Sequence, residues 1–294
     1  MRHTEIIKEI QAFDLKTATV EDIRKNLELL QKFGVMITTL HRGKKIIRAR
    51  LSEEKSFESI SALSYKPQQF NQTFQRASTP NKTMFYGSIV PEIQGKTEPT
   101  TARITIVFEI SEFVRDTKTI GELDLTFSAW EVLEDIELVS IVHHKGFQRP
   151  TILSKNLQQQ FEKLNSDSPE LEIPSLEISA FLASEFAKET IKHHTDYKIS
   201  AIYSEIASEK YDGILYPSVR LAGEGINIAI KPETVDSKLK FLGASECRIY
   251  KNGLPVFLDN LTNGEVYNGD QLKFSPLEAP YYFGEELSRK QVGL

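Results

Sequence analysis

The sequence has little cysteine and no long apolar run, and these two absences narrow what the protein can be. Cys247 is the single cysteine, so an intramolecular disulfide is excluded and a reducing compartment is indicated. The most apolar stretches, such as ITIVFEI (104–110), are far shorter than a membrane span. The first residues, MRHTEIIKEIQAFD, carry acids among their apolar positions and lack a signal-peptide core. We therefore expect a cytoplasmic protein with no membrane partner.

An excess of positive charge is also missing. The formal net charge is -5, which argues against a broad phosphate-neutralising surface, so we expect no direct binding of nucleic acid. There is no HExxH motif and no cysteine pair, so we expect no metal site. A GxGxxG after a strand, a Walker loop and a GxSxG elbow are likewise absent from the sequence.

The composition and the order of segments indicate an ordinary folded protein of mixed class. The chain has 294 residues, of which 40% are hydrophobic and 26% charged, so it can bury a core and gives no sign of disorder. Segments typical of helices and of strands alternate without the regular order of βαβ units. We therefore predict an α+β fold, with a mixed β core and flanking helices.

The two ends of the chain carry the clearest local signals. Ile6 and Ile10 recur at helical spacing, and Thr19 can cap a second helix with Asp22 three residues on. We predict a small N-terminal helical segment over residues 1–40 and a main domain over 41–294. From about residue 232 the motifs KNG, TNG and YNG separate short apolar runs, which predicts a C-terminal extension of β-hairpins.

The middle of the chain contains strand signals and one long loop. VMITTL (35–40) and KKIIRARL (44–51) are β-branched runs separated by HRG, a pattern that predicts a hairpin. The polar stretch 64–83 contains two prolines and reads as a long loop, a feature often tied to function. The segment 100–116 fits either a strand, by its β-branched content, or a helix, by its apolar spacing.

Several polar residues inside these elements have both a structural and a functional interpretation. On a strand Arg48 and Arg50 share one face; local sequence favours a solvated face, and the alternative is a clamp for pyrophosphate or carboxylate. Glu109 interrupts an apolar run and is either surface-facing or buried and paired. Tyr86 suits a core position or a stacking one.

The stretch YDGILYPSVRLAGEGINIAI (211–230) is the most unusual part of the sequence. A short apolar run is ended by Pro217, and a hydroxyl (Ser218), glycines and an amide (Asn227) precede the next apolar run. A hairpin needs only turn residues at this point. The functional interpretation is that the glycines let the corner approach a ligand closely while Pro217 fixes the direction of Ser218. The structural alternative is that Ser218 caps the turn.

Taken together, four segments resemble the RES domain, a family named for its arginine, glutamate and serine. They are, in chain order, IIRARL, QRASTPNKTMFYGS, TTARITIVFEIS and the stretch 211–230. The last is the closest match, and the resemblance spans about residues 42–230. It implies an ADP-ribosyltransferase-like fold and an enzyme that degrades NAD at the nicotinamide–ribose bond.

The resemblance also implies a set of site residues and partners. Arg48, Tyr86, Glu109 and Ser218 would be catalytic and would face one cavity; Arg50, Arg76, Tyr216 and Asn227 would bind substrate. Glu98 and Glu112 are rivals of Glu109, because the stretch before it is longer than the common pattern. Inorganic phosphate or water would accept the ADP-ribose, with no cofactor beyond NAD as the substrate. A toxin role with an Xre-type antitoxin partner follows by analogy alone. The alternatives are an ADP-ribosyltransferase acting on a macromolecule and a non-catalytic nucleotide- or partner-binding module.

Overall fold

The computed structural model of the chain describes residues 2–30, 33–52, 56–143, 146–166 and 169–294. The fold mixes helices with parallel and antiparallel strands, which confirms the α+β class. The chain divides into two compact units. The first comprises Met1–His41, Lys66–Tyr86 and Asp135–Ser237, and the second comprises Arg42–Tyr65, Gly87–Glu134 and Lys238–Leu294.

Helices and strands follow one another along the whole chain. Their bounds are α1 (Arg2–Ala12), α2 (Val20–Leu29), β1 (Met36–Leu40), β2 (Lys45–Leu51), α3 (Ile60–Leu63), β3 (Phe85–Ile89), β4 (Glu92–Ile93), β5 (Lys96–Thr97), α4 (Pro99–Ile110), α5 (Glu112–Arg115), β6 (Ile120–Val132), β7 (Ile136–Ser140), α6 (Ile152–Ser166), α7 (Pro169–Phe186), α8 (Lys198–Ser208), β8 (Gly213–Pro217), β9 (Ile226–Ile230), α9 (Pro232–Lys238), β10 (Leu239–Asn252), β11 (Val256–Asn260), β12 (Thr262–Asn268), β13 (Gln271–Pro276) and α10 (Glu285–Val292).

The N-terminal helices form where the sequence predicts them. The Thr19 hydroxyl accepts the backbone N–H of Asp22 at 3.1 Å and donates to the Asp22 carboxylate at 2.6 Å, so the cap at the start of α2 is confirmed. Ile6, Ile10 and Ile23 are buried in the core of the first unit. The apolar face of both helices is therefore packed away from water, which stabilises helices too short to persist alone.

The first unit is built on a short mixed sheet in the order β1-β7-β8-β9. β7 runs parallel to β8, while β1 and β9 are antiparallel to their neighbours. Every residue of β8 and β9 is buried, which explains their continuous apolar sequences. Residues of α1, α2, α7 and α8 share one apolar core with β8 and β9. This core positions the corner that joins β8 to β9.

Gly213 at the start of β8 is required by the closeness of β9. A Cβ at this position would lie 2.0 Å from the backbone oxygen of Ala229 on β9, the residue before Ile230, with which Gly213 pairs. No L side chain can be placed there without moving one strand.

The second unit is a larger, mainly antiparallel sheet. Its strands lie in the order β3-β2-β6-β10-β12-β13, and β11 pairs with β10. Helix α4 packs on β2 through an apolar cluster that includes Ile47, Ala49, Ala102 and Ile106. The ambiguous segment before residue 111 is therefore helical. Pro99 at the start of the helix and the Glu98 carboxylate, which accepts the Thr100 N–H at 2.9 Å, fix its first turn.

The hairpin predictions are partly confirmed. KNG joins β10 to β11 and YNG joins β12 to β13, each between paired antiparallel strands. TNG is not a turn; it lies inside β12, where Gly264 pairs with Ala244 of β10. The predicted hairpin around HRG is wrong, because β1 pairs with β7 whereas β2 pairs with β3 and β6. Long-range pairing there overrides the local signal.

The C-terminal helix is fastened to the second unit by one buried carboxylate. Asp259 on β11 is fully buried. It accepts the backbone N–H groups of Phe283 at 3.1 Å and Gly284 at 3.0 Å and the Ser288 hydroxyl at 2.9 Å. These donors belong to the first turn of α10 and the two residues before it, so the carboxylate acts as its N-terminal cap.

No helix in the described part of the chain is long and apolar enough to cross a membrane.

Candidate functional site

The corner between β8 and β9 is a tight loop with an unusual backbone. The Ser218 N–H donates to the Gly225 oxygen at 3.0 Å, and the Ser218 carbonyl accepts the Gly223 N–H at 2.8 Å. Ala222 has a φ of 53° and Gly223 a φ of 96°, both in the left-handed region. Ser218 is thereby fixed at the exit of β8, at the carboxyl edge that β8 shares with its parallel neighbour β7.

Three predicted site residues meet at this corner. Tyr216 and Asn227 lie directly opposite each other on β8 and β9, so their side chains share one face of the sheet. Ser218 follows Tyr216 by two positions. All three are buried, and Ser218 is completely enclosed. The structure therefore brings Tyr216, Ser218 and Asn227 together, as the sequence predicts.

The glycine at position 223 has a packing reason inside the protein. A Cβ on Gly223 would lie 2.7 Å from the Cβ of Phe147, and the Arg149 N–H donates to the Ala222 oxygen at 2.9 Å. Segment 147–149 therefore occupies the space that the missing side chain leaves. The close approach that Gly223 permits is therefore made by Phe147.

Arg76 is buried and holds the end of a helix. Its guanidinium donates to the carbonyl oxygens of Phe186 and, at 3.2 Å, Lys188, the last residue of α7 and a residue just beyond it. The guanidinium also lies 5.1 Å above the ring of Tyr197. An arginine is well suited to this position because the C-terminal end of a helix leaves carbonyl groups without helical partners. The predicted substrate-binding residue thus has a structural role in the first unit.

Tyr86 is held close to Arg76 by hydrogen bonds from the same loop. Its hydroxyl accepts the Ala77 N–H at 3.0 Å and is 2.8 Å from the Ser78 hydroxyl. Burial raises the pKa of Tyr86 to about 12, although these bonds and the charge of Arg76 oppose the rise. The phenol is therefore neutral at physiological pH.

Glu205 on α8 ties this loop to the body of the unit, and the sequence did not mark it. Its carboxylate accepts the Thr79 hydroxyl at 2.7 Å and the Lys82 ammonium at 2.6 Å, and it pairs with Arg24 of α2. Burial alone would raise the pKa of Glu205, but the bonds from Lys82 and Thr79 and the nearby cations outweigh it, and the pKa is lowered. Thr79, Lys82 and Glu205 also line a cavity of about 240 Å³.

The paired arginines of the second unit lie on one face of β2, as predicted. The Arg48 Nε–H donates to the Leu63 oxygen at 3.1 Å, and Arg50 donates to the oxygen of Ala62 and lies 4.9 Å above the ring of Phe57. Both guanidinium groups thus reach the last carbonyls of α3. Both side chains are half-buried, so this face of β2 is not a fully solvated one.

Glu109 lies on α4, close to the C-terminal end of the helix. Arg115 donates to its backbone oxygen at 3.1 Å. Since α4 packs on the Ile47 and Ala49 side of β2, α4 and α3 lie on opposite faces of that strand. Of the two rivals, Glu98 caps α4 through Thr100 and Glu112 begins α5.

The His, Cys, Asp and Glu side chains of the described residues form no metal centre. Within that part of the chain no group of three or more His, Cys, Asp or Glu side chains could hold an ion. His143, which follows β7, packs against the ring of Phe161 at 4.3 Å. Burial lowers the pKa of His143 to about 4, against a bond to the Gln158 backbone. The imidazole is therefore neutral at physiological pH.

The predicted site residues divide between the units. Arg76, Tyr86, Tyr216, Ser218 and Asn227 belong to the first unit, and Arg48, Arg50 and Glu109 belong to the second. Comparisons with models of protein families and with curated proteins find no match for this chain. The interpretation of the site therefore depends on its own residues and on the four segments that resemble the RES domain.

Proposed function

We propose that this chain degrades NAD as a RES-type enzyme, by cleaving the bond between nicotinamide and ribose. The observation that carries the proposal is the corner of 211–230. There Tyr216, Ser218 and Asn227 lie side by side at the end of two buried strands, in the order in which the resembling motif contains them. The carboxyl ends of strands in a mixed or parallel sheet are a common location for a binding site.

The residue types at this corner suit the uncharged end of the substrate. A hydroxyl and an amide can bond the carboxamide of nicotinamide, and a neutral aromatic ring can stack on its face. We assign these roles to Ser218, Asn227 and Tyr86. Cleavage passes through a state with oxocarbenium character, as in glycoside chemistry. We assign its stabilisation to the Glu109 carboxylate, because a negative charge near the ribose favours the developing positive charge. Its helix α4 lies on the face of β2 opposite to Arg48, so this assignment rests on the resemblance and not on proximity to Arg48.

Arginine is the residue type that suits the pyrophosphate, through charge-assisted bonds. We assign this role to Arg48, with Arg50 beside it. The proposed reaction uses no cofactor; phosphate or water accepts the ADP-ribose, and an ADP-ribosyltransferase would instead use a macromolecule. An Xre-type antitoxin remains the partner proposed by analogy.

A second candidate is a non-catalytic nucleotide- or partner-binding module. The observation that favours it is the engagement of three arginines with backbone carbonyls: Arg48 and Arg50 with α3, and Arg76 with the end of α7. Arginines that close helix ends stabilise the fold whether or not the protein turns over a substrate.

The experiment is a nicotinamide-release assay on the purified chain with NAD. Three parallel reactions contain buffer alone, inorganic phosphate, or a cell extract as a source of macromolecular acceptors. Release stimulated by phosphate supports phosphorolysis, and release in buffer alone supports hydrolysis. Release only with the extract, together with labelling of a macromolecule by ADP-ribose, supports the transferase. NAD binding measured by calorimetry without any release supports the non-catalytic module, and neither binding nor release contradicts the proposal.

A further inference from the structure

A chain of hydrogen bonds ends on the hydroxyl of Tyr86. The Met84 N–H donates to the Ser78 hydroxyl oxygen at 3.1 Å, and that oxygen is 2.8 Å from the Tyr86 hydroxyl. The Ala77 N–H donates to the same phenol oxygen at 3.0 Å. Ser78 is 1% exposed. The polar tip of Tyr86 is therefore engaged by two groups of the loop that precedes it, the Ala77 N–H and the Ser78 hydroxyl.

The protonation of Tyr86 agrees with this geometry. Burial dominates and raises its pKa to about 12, even though Ser78, Ala77 and the nearby charge of Arg76 favour the phenolate. An efficient acid or base has a pKa near the working pH. A phenol held by a backbone N–H and a buried hydroxyl is poorly suited to exchange a proton with a substrate.

The ring of Tyr86 has surroundings different from those of its hydroxyl. Tyr86 is only partly buried, and its ring packs against the apolar core of the first unit. A ring clamped at its hydroxyl has a fixed plane, which lowers the entropy lost when a flat ligand stacks on it. No sequence motif marks Ser78, because its role appears only when the loop brings it back to Tyr86.

We infer that Ser78 is a positioning residue that holds Tyr86 by its hydroxyl, so that Tyr86 acts through its ring face and not as an acid or base. This inference rests on the proposed function for the substrate that the ring meets. The hydrogen-bond lock itself does not depend on that substrate.

The role of the ring is tested by two substitutions of Tyr86. Tyr86→Phe keeps the ring and loses the hydroxyl; we expect kcat/KM to fall by no more than about tenfold, with an unchanged pH profile. Tyr86→Leu removes the ring and should lower kcat/KM about a hundredfold or more. Equal, severe losses in both variants, or a pH profile that changes in Tyr86→Phe, would overturn the inference.

The role of Ser78 is tested by its dependence on Tyr86. Ser78→Ala should lower kcat/KM about tenfold in the parent and less than about twofold in the Tyr86→Leu background, because a positioning residue has no effect once its target is gone. Ser204→Ala is the matched control: Ser204 is also fully buried, and its hydroxyl donates to the Ser200 oxygen at 2.8 Å within α8. If Ser78→Ala lowers kcat/KM equally in both backgrounds, Ser78 has a general structural role and does not act through Tyr86.

Thermal melting separates failure of this inference from failure of the proposed function. Ser78→Ala and Tyr86→Phe break one hydrogen bond in common, and each also removes the acceptor of a different backbone N–H, so the fall in Tm of the double variant should be smaller than the sum of the two single falls. Additive losses would overturn the lock even in a protein without activity. If the parent neither binds nor cleaves NAD, the proposed function and the role of the ring both fail, while the melting result still decides the lock.

Discussion

Replacing Arg76 by alanine distinguishes its observed contacts from its predicted role in substrate binding. The substitution removes two hydrogen bonds to carbonyls at the end of α7 and the stacking contact with Tyr197. Arg76 is 6% exposed, so water cannot easily replace these bonds. We therefore expect Arg76→Ala to lower the free energy of unfolding, whether or not Arg76 contacts the substrate.

The size of the loss follows from these contacts. A hydrogen bond to a charged group contributes about 1.5–3 kcal/mol, and a guanidinium over an aromatic ring contributes about 0.5–2 kcal/mol. Because such contributions are not additive, we expect the free energy of unfolding to fall by about 3 kcal/mol in total. For folding units of about 150–250 residues, this corresponds to a Tm lowered by about 6–12 °C.

The assay is thermal and urea unfolding followed by circular dichroism, with NAD affinity measured by calorimetry well below the Tm. Arg76→Lys keeps the charge but loses the planar fork, so it should recover only part of the stability. Arg149→Ala is the matched control, because the Arg149 side chain is 73% exposed and lies 3.6 Å from Glu224. An exposed pair of this kind contributes about 0–1 kcal/mol. An Arg76→Ala protein that melts with the parent but binds NAD more weakly would refute the structural role and support substrate binding.

Four further predictions address the other residues. Arg48→Ala should weaken NAD binding by about 2 kcal/mol or more; equal affinity in calorimetry would exclude Arg48 from the pyrophosphate. Glu109→Gln should lower turnover about a hundredfold or more with the fold intact, whereas an active Glu109→Gln beside an inactive Glu112→Gln would move the role to Glu112. Ser218→Ala should cut NAD consumption sharply with little change in Tm; a less stable but fully active protein would make Ser218 a turn cap. Since the pKa of His143 is lowered to about 4, its neutral form is favoured in the folded state, and stability should fall as pH drops from about 6.5 to about 4. His143→Gln should flatten that part of the urea-midpoint profile relative to the parent, and an identical slope in both proteins would contradict the assignment.

Local sequence predicted the elements whose cause is local. The cap formed by Thr19 and Asp22 and the turns at KNG and YNG depend on a few adjacent residues, so their residue types are enough to predict them. HRG failed because β1 and β2 each find their partners among strands far along the chain. Such pairing is decided by burial over the whole sheet, which a window of ten residues does not contain.

In the candidate site, too, the features with a local cause were predicted and those that depend on distant residues were not. Tyr216, Ser218 and Asn227 lie within one short stretch, and the structure brings them together as predicted. The partners of Arg76 are carbonyl groups about 110 positions away, and a backbone carbonyl has no signature in a sequence. Glu205 was missed for a related reason, because an acid on an amphipathic helix resembles any solvated acid until its partners on α2 and on the loop are known.

Gly213 shows that a residue of the stretch 211–230 can be required by the fold alone. The Ala229 oxygen 2.0 Å from the site of a Cβ excludes every other residue type at this position. In a library that samples all substitutions, selection for folded protein alone should leave only glycine at 213, even when activity is not selected. Ser218 is enclosed, so both selections should exclude larger side chains there, but serine should be preferred over alanine only under selection for turnover. Comparing the two selections would separate the residues of 211–230 that are required for folding from those that are required for turnover.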